Sequence, residues 1–423
     1  MKKWLKSTAV AGVAIATLGS LAACSGSAGD GTTEISFLMW GDGGESDTAY
    51  KELIADFEEE NPDISVNAEF FNTNDYQNIL KTRMSGGSGP DVYGIDFSNL
   101  PDFIRDGFAM DLTDGGEDYL DKLTENALEE TYRYAEDGGS YNVPILLSGN
   151  GIMYNADLFE QAGITEEPTT YSEFKEASDK LLAAGITPIA MSAQDNWWPQ
   201  FIVYYALAEH GANEETAEAM LAGEETFVDS EAWAESLDIV KELVPYYMPN
   251  PLGTSNTAAQ SAFLAGEAAM WPATWILNDA RSADINLGYM NFPTVDEPVD
   301  AMWGTYQARL AINPSNGEEK IEASQRFINY FFEDEVYSDF LSKMRLFPVT
   351  DTVEVDESID PLFPDMQASW DGKEFVALFS PADAAVQTAL LVGMQDLIGD
   401  RKTTEQVLAD LDAVLQETIA ANQ

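Results

Sequence analysis

EISFLMWGDGGESDTAYKELIADFEEENPDISVNAEFFNTNDYQNILKTRMSGGSGPDVYGI, residues 34–95, decides the fold class. Glu34 to Met39 is apolar enough for a buried strand, and Tyr50, Leu53, Ile54 and Phe57 then recur at helical spacing until Asn61-Pro62 stops them. Ile64 to Phe70 alternates as a second strand. Asn74, three residues before Gln77, is placed to cap a helix that runs to the Gly86-Gly87 breaker, and Asp91 to Ile95 reads as a third strand. The order is βαβαβ. The rhythm returns downstream, where Thr170 to Glu173 forms a capping box, the following helix reaches about Ala184, Gly185 ends it, and Pro188 to Met191 is a strand. Alternating strands and helices call for α/β architecture with mainly parallel sheets, and the recurrence after residue 147 calls for two such units.

Upstream of this stretch the chain carries an export signal. Lys2, Lys3 and Lys6 precede an apolar run from Ala9 to Ser20, too short to span a bilayer. Leu21-Ala22-Ala23-Cys24 resembles a bacterial lipobox, which makes Cys24 the expected diacylglyceryl site and residues 1–23 the part removed. Two acyl chains suffice for stable anchoring. Cys24 is the single cysteine of the chain, so no intrachain disulfide can form. The Ser- and Gly-rich residues 24–33 read as a flexible tether.

Composition narrows the function. With 74 Asp and Glu and a formal charge of −53, the surface repels nucleic acid phosphates and anionic lipid. Acidic runs such as Glu58 to Glu60 are solvated faces. The single histidine, His210, stands just before Gly211 as a C-terminal cap or a surface residue, which leaves nothing for a Ser-His-Asp triad or a His-ligated zinc. SGGSGP at 85–90 lacks the Gly-Lys-Ser/Thr ending of a phosphate loop. No cofactor or metal is called for. A carboxylate-only glycosidase is the enzyme class that survives, because abundant acids supply pairs by chance.

Tryptophans give the positive signal. Trp40, Trp197, Trp198, Trp271, Trp275 and Trp303 stand at expected element ends or loops, whereas Trp233 and Trp370 suit packing. Strand ends are where α/β sheets bind ligands, and an indole face suits the C–H side of a sugar, although the same rings could fill a core.

Together these features resemble the family 1 extracellular solute-binding proteins of ABC importers, the sugar-binding group that includes maltose-binding protein. The likeness runs from Glu34 to the last helix and rests on the order of its segments: ISFLMWG at 35–41, IADFEEENPDISV at 54–66, NDYQNILKTRMSGGSGPDV at 74–92, YNVPI at 141–145, MYNADLFEQAGI at 153–164, PTTYSEFKEASDKLLAAGITPIA at 168–190, AFLAGEAAMWPATW at 262–275 and ASQRFINYFFEDEVYSDFLSKMRLFPV at 323–349. One segment departs from the family pattern, since Met270 to Trp275 is a residue short and has Ala273 where Gly is usual.

The resemblance implies a two-lobed periplasmic-binding-protein-like fold. Lobe one would comprise 34–145 and 304–347, lobe two 147–302 and 348–423, with hinge crossings near Leu146, Trp303 and Phe347. It also implies a non-enzymatic monomer, anchored through Cys24 to the outer face of the cytoplasmic membrane, that captures a carbohydrate between the lobes and hands it to permease subunits. The alternatives are the glycosidase above and a sensing or adhesion lipoprotein. Trp40, Asp42, Asn74 and Asp96 are the expected ligand contacts in lobe one, and Asn150, Asp195, Asn196, Trp198, Trp275 and Trp303 those of lobe two and the hinge.

Overall fold

The computed structural model describes residues 32–41, 43–135, 137–148, 151–297, 299–370, 373–376 and 384–421, so Cys24, its leader and most of the tether lie outside it. The opening strands and helices follow the sequence pattern closely: β1 (Thr33–Trp40), a helix over Glu45–Glu60, β2 (Ile64–Phe71), a helix over Thr73–Ser85 and β3 (Val92–Ile95). Next come β4 (Val143–Ser148), β5 (Ile152–Asn155), β6 (Thr187–Ile189), β7 (Ala268–Trp271), β8 (Leu287–Met290), β9 (Ala301–Trp303), β10 (Thr305–Ile312) and β11 (Glu374–Val376).

Two main sheets result. The first has the order β2-β1-β3-β10-β4, the second β6-β7-β5-β8, and β9 with β11 forms a short parallel pair. In the first, β1 is parallel to both β2 and β3, but β10 lies antiparallel to β3 and β4. In the second, β6 and β7 are parallel while β5 is antiparallel to both neighbours. The sheets are therefore mixed rather than mainly parallel. Parallel pairs need a crossover helix, which the βαβαβ start supplies; β10 enters from far along the chain and has no such constraint.

Each sheet has its own core. Along β1, Ile35, Phe37 and Met39 point to one face and Leu38 to the other, as the pleat requires. The first face is covered by Tyr50, Leu53 and Phe57 of the Glu45–Glu60 helix and by Phe327, Phe331 and Phe340. Tyr76 and Leu80 of the Thr73–Ser85 helix cover the second, together with Phe103. A single larger cluster surrounds the second sheet, from Ile152 to Phe292 and again from Leu362 to Leu415.

Between the cores, Leu147 and Phe347 exchange backbone hydrogen bonds of 3.1 and 3.0 Å. Leu146 packs in the first core and Phe347 in the second; likewise Trp303 belongs to the second and Tyr306 to the first. Val349 and Val353 return to the first core before Leu362 joins the second, so the chain after residue 348 does not pass directly into lobe two.

Thr170 Oγ1 accepts from Glu173 N at 3.2 Å, while the Glu173 carboxylate reaches back one residue further than expected, to Thr169 N at 2.9 Å. Gly185, at φ +77°, follows that helix. The Thr73–Ser85 helix starts ahead of Asn74: Asn72 O accepts from Asp75 N and Tyr76 N at 3.0 and 2.9 Å, which places Asn74 inside the first turn rather than at the cap. His210 does cap its helix, with its N–H on Ala206 O at 2.8 Å, Gly211 at φ +83° and Nδ1 2.5 Å from Glu235.

Candidate aromatic binding site

The β2-β1-β3 order makes the carboxyl ends of β1 and β3 a topological switch point, where α/β sheets leave a crevice. Trp40 ends β1 and Asp96 follows β3, so the sheet brings these two expected residues together. Trp40 is half-buried and meets the Tyr76 ring edge-on, with centroids 5.3 Å apart and planes at 82°. Gly94 makes that approach possible, since a Cβ there would lie 3.0 Å from the Trp40 ring and 2.4 Å from the Met39 sulfur. Tyr76 Oη lies 2.6 Å from Gly94 O and 3.0 Å from Leu38 O, and burial holds its hydroxyl well above the usual phenol range. It therefore stays a neutral donor tying β1 to β3.

Asp96 is occupied by its own neighbours. Its carboxylate accepts from Gln77 Nε2 at 2.6 Å, Ser98 Oγ at 2.7 Å, Asn99 N at 2.9 Å and Asn99 Nδ2 at 3.0 Å. Behind it, Arg309 of β10 sits opposite Ile95, buried and ion-paired with Glu130, which also lies 3.0 Å from Arg133 Nε. Asn74 lies on the neighbouring helix; its side chain, together with Asp42 and Asn150, falls outside the described residues.

The second lobe contributes rings. After β6 the chain reaches Trp197 and Trp198 at the start of the Gln200–Glu209 helix, and this connection is pinned by Ala193 N to Pro251 O at 2.8 Å and Gln395 Nε2 to Ala193 O at 2.7 Å. Asp195 Oδ2 accepts from Asn256 N at 2.6 Å, at the first turn of the Asn256–Leu264 helix. Like Asp96, this expected ligand contact already has a structural duty. Asn196 is half-buried beside Trp197. On the far side, β7 ends at Trp271 and a tight turn, Ala273 N to Trp271 O at 2.8 Å, delivers Trp275.

These rings touch one another. Trp198 lies 4.7 Å from Trp271 and 4.8 Å from Trp275, Trp197 lies 6.3 Å from Trp275, and Phe201 lies 5.3 Å from Trp275 and 5.2 Å from Trp303. Tyr204 and Tyr205 back Trp303 at 5.4 and 5.3 Å. Exposure divides the set. Trp198 and Trp271 are 0% exposed and Trp303 2%, whereas Trp197, Phe201 and Trp275 remain half-buried. In this structure, then, Trp198 and Trp303 offer no stacking face; they back the wall, because neighbouring rings enclose them.

Two outward rings, Trp197 and Phe201, were absent from the expected contacts. Their four-residue spacing across a helix start was the available signal. Phe97 was missed as well. It follows Asp96 in the first lobe, yet packs against the second core, 6.5 Å from Tyr204, and so joins the two halves of the site. Among the described residues, no group of three or more His, Cys, Asp or Glu is placed to hold a metal ion, and no helix is long and apolar enough to cross a membrane.

The fold is shared with solved solute-binding proteins. One, a chitin oligosaccharide binding protein, superposes with a TM-score of 0.81 at 22% identity over 92% of this chain and 99% of its own. In sequence, the multiple sugar-binding protein of Streptococcus mutans is 30% identical over 199 residues, 46% of each chain. The diacetylchitobiose binding protein of Streptomyces coelicolor is 28% identical over 214 residues, 47% of each. These matched stretches span about half the length of either relative. The model of the bacterial extracellular solute-binding proteins matches residues 40–337, well over half of the chain, and the chain belongs to that family.

Proposed function

We propose that this protein captures a carbohydrate between its lobes for an ABC-type importer. The observation that carries the reading is the wall of Trp197, Phe201 and Trp275, partly exposed and backed by buried rings. Such faces suit the C–H side of a sugar, and the names of the two relatives, one for multiple sugars and one for diacetylchitobiose, agree with it. Trp40 supplies a further ring from lobe one. Asp42, Asn74, Asp96, Asn150, Asp195 and Asn196 are the polar partners for hydroxyls, with Asp96 and Asp195 offering only the capacity their structural bonds leave.

Ligand that touches both lobes stabilises a closed form, so a hinge at the Leu147–Phe347 crossing is the moving part. In this reading lobe one takes 34–145 and 304–347, extended to Val353 by packing, and lobe two takes 147–302 with the remainder. Cys24 carries the lipid that holds the protein at the outer face of the membrane, where the closed form meets permease subunits. Capture requires no bond making or breaking in the sugar.

Calorimetric titration of the mature protein, as Cys24→Ser, against a panel of mono- and oligosaccharides tests the reading. A dissociation constant on the order of micromolar, about −8 kcal/mol, is expected for at least one sugar, which is recovered intact. Absence of binding across the panel, or cleavage of the bound sugar, overturns it.

A further inference from the structure

At the hinge one cluster of polar side chains crosses from the first core to the second. The Asp334–Met344 helix is seated in the first core by Tyr337, Phe340 and Leu341. Its cap residue, Arg345, has φ +50°, a left-handed conformation in which an arginine is uncommon and glycine at ease. The guanidinium reaches the other lobe: Nη1 donates to Asn278 Oδ1 at 2.5 Å, and Nε lies 3.6 Å from Asp360 Oδ2. Asn278 answers by donating from Nδ2 to Lys343 O at 2.7 Å.

The receiving side is built firmly. Asp360 is 1% exposed and takes both Arg281 Nε at 2.8 Å and Arg281 Nη2 at 2.6 Å, while its Oδ1 accepts from Leu362 N at 3.0 Å. Asn278 and Arg281 share the Leu277–Ser282 helix, which Leu277 and Ala280 seat in the second core. That helix is short, and Trp275 lies three residues before Asn278, joined by the turn that Leu277 N to Thr274 O closes at 3.0 Å. The end of the lobe-one helix thus grips the segment that presents a ring of the aromatic wall.

We infer that Arg345, acting through Asn278, is a positioning residue that ties the placement of Trp275 to the relative position of the two lobes. A hinge movement that displaces Arg345 either drags Asn278 with it or breaks the pair, and Trp275 responds in both cases. Asp360 serves as the fixed post, since its two contacts with Arg281 lie within lobe two. Binding energy at Trp275 and lobe geometry are then linked without contact between Arg345 and ligand. The inference rests on the ligand-capture reading for its consequence only, and its test is made on ligand-free protein so that the two can fail separately.

Arg345→Gly is the informative substitution, because glycine keeps the left-handed cap while removing the guanidinium. Hydrogen exchange of the ligand-free mature protein is expected to quicken about tenfold over residues 277–282, with the melting temperature lowered by about a few degrees at most, since one charge-assisted hydrogen bond is lost. Tryptophan emission, compared with a Trp275→Phe partner, should shift to the red through Trp275 alone. Asn278→Ala leaves Leu277 and Ala280 in place and should reproduce both changes, and the double variant should be no worse than either single one. Unchanged exchange and emission in both variants, or exchange that quickens evenly along the whole chain, overturns the inference.

Discussion

At the strand end of the first lobe the described polar group among the expected ligand contacts, Asp96, is already bonded to its neighbours, whereas the second lobe offers rings that mostly touch other rings. Asp96 holds Gln77, Ser98 and Asn99, so its geometry is fixed before any ligand arrives. Trp197, Phe201 and Trp275 are half-exposed, with Trp198, Trp271 and Trp303 filling the space behind them. Hydrogen bonds give direction and rings give area. The difference teaches that residues of one type along a site divide by depth, and that depth determines whether a substitution reads out as stability or as affinity.

The largest effect that can break this comparison is Trp198→Ala. Trp198 is fully buried and lies 4.7 Å from Trp271, so truncation should cost about 3–5 kcal/mol of stability in denaturant unfolding. Near-normal stability would mean that the backing layer is not a packed core. Trp275→Ala is the counterpart from the outer layer. It should weaken sugar binding by about 2 kcal/mol, roughly 30-fold, with a stability loss smaller than that of Trp198→Ala. Early melting with unchanged affinity would erase the distinction between layers. The third change, Asp96→Ala, deprives Gln77, Ser98 and Asn99 of one acceptor; water replaces it in part, and the expected stability loss is about 1 kcal/mol.

Much of the fold was legible because its signals are local. The period of Ile35, Phe37 and Met39, the helical spacing of Tyr50, Leu53 and Phe57, and the punctuation by Asn61-Pro62 and Gly86-Gly87 each act within a few residues. The antiparallel β10 was not legible, because nothing in TYQARLAI at 305–312 records which distant strands it will lie between. Trp198 and Trp275 illustrate the same limit at the site. Both stand at element ends, yet only the tertiary packing of Trp271, Phe201 and Trp303 decides that one is enclosed and the other half-open. Phe97 was hidden for a third reason: its partner, Tyr204, belongs to the other lobe.

The smallest effect sharpens the comparison through a carboxylate of the second lobe. Glu209 ends the helix that carries Phe201, Tyr204 and Tyr205, and Oε2 accepts from Thr294 N at 2.7 Å and Thr294 Oγ1 at 2.6 Å. Burial, partly offset by those donors and by Lys373 and His210, raises its carboxyl above the ordinary 4.5. The folded chain therefore holds this proton more tightly than the unfolded one. Its contribution to stability falls as pH rises from about 4.5 through the raised value, and it is constant above that. Glu209→Gln keeps an acceptor for Thr294 but has no proton to lose, so this fall disappears. Melting curves of both proteins at pH 4 and pH 7.5 should show the variant gaining on its parent as pH rises. If the variant instead loses ground at pH 7.5, the charged form is stabilised by Thr294, Lys373 and His210 beyond its burial cost, and the lobe-two carboxylate is as well satisfied as Asp96.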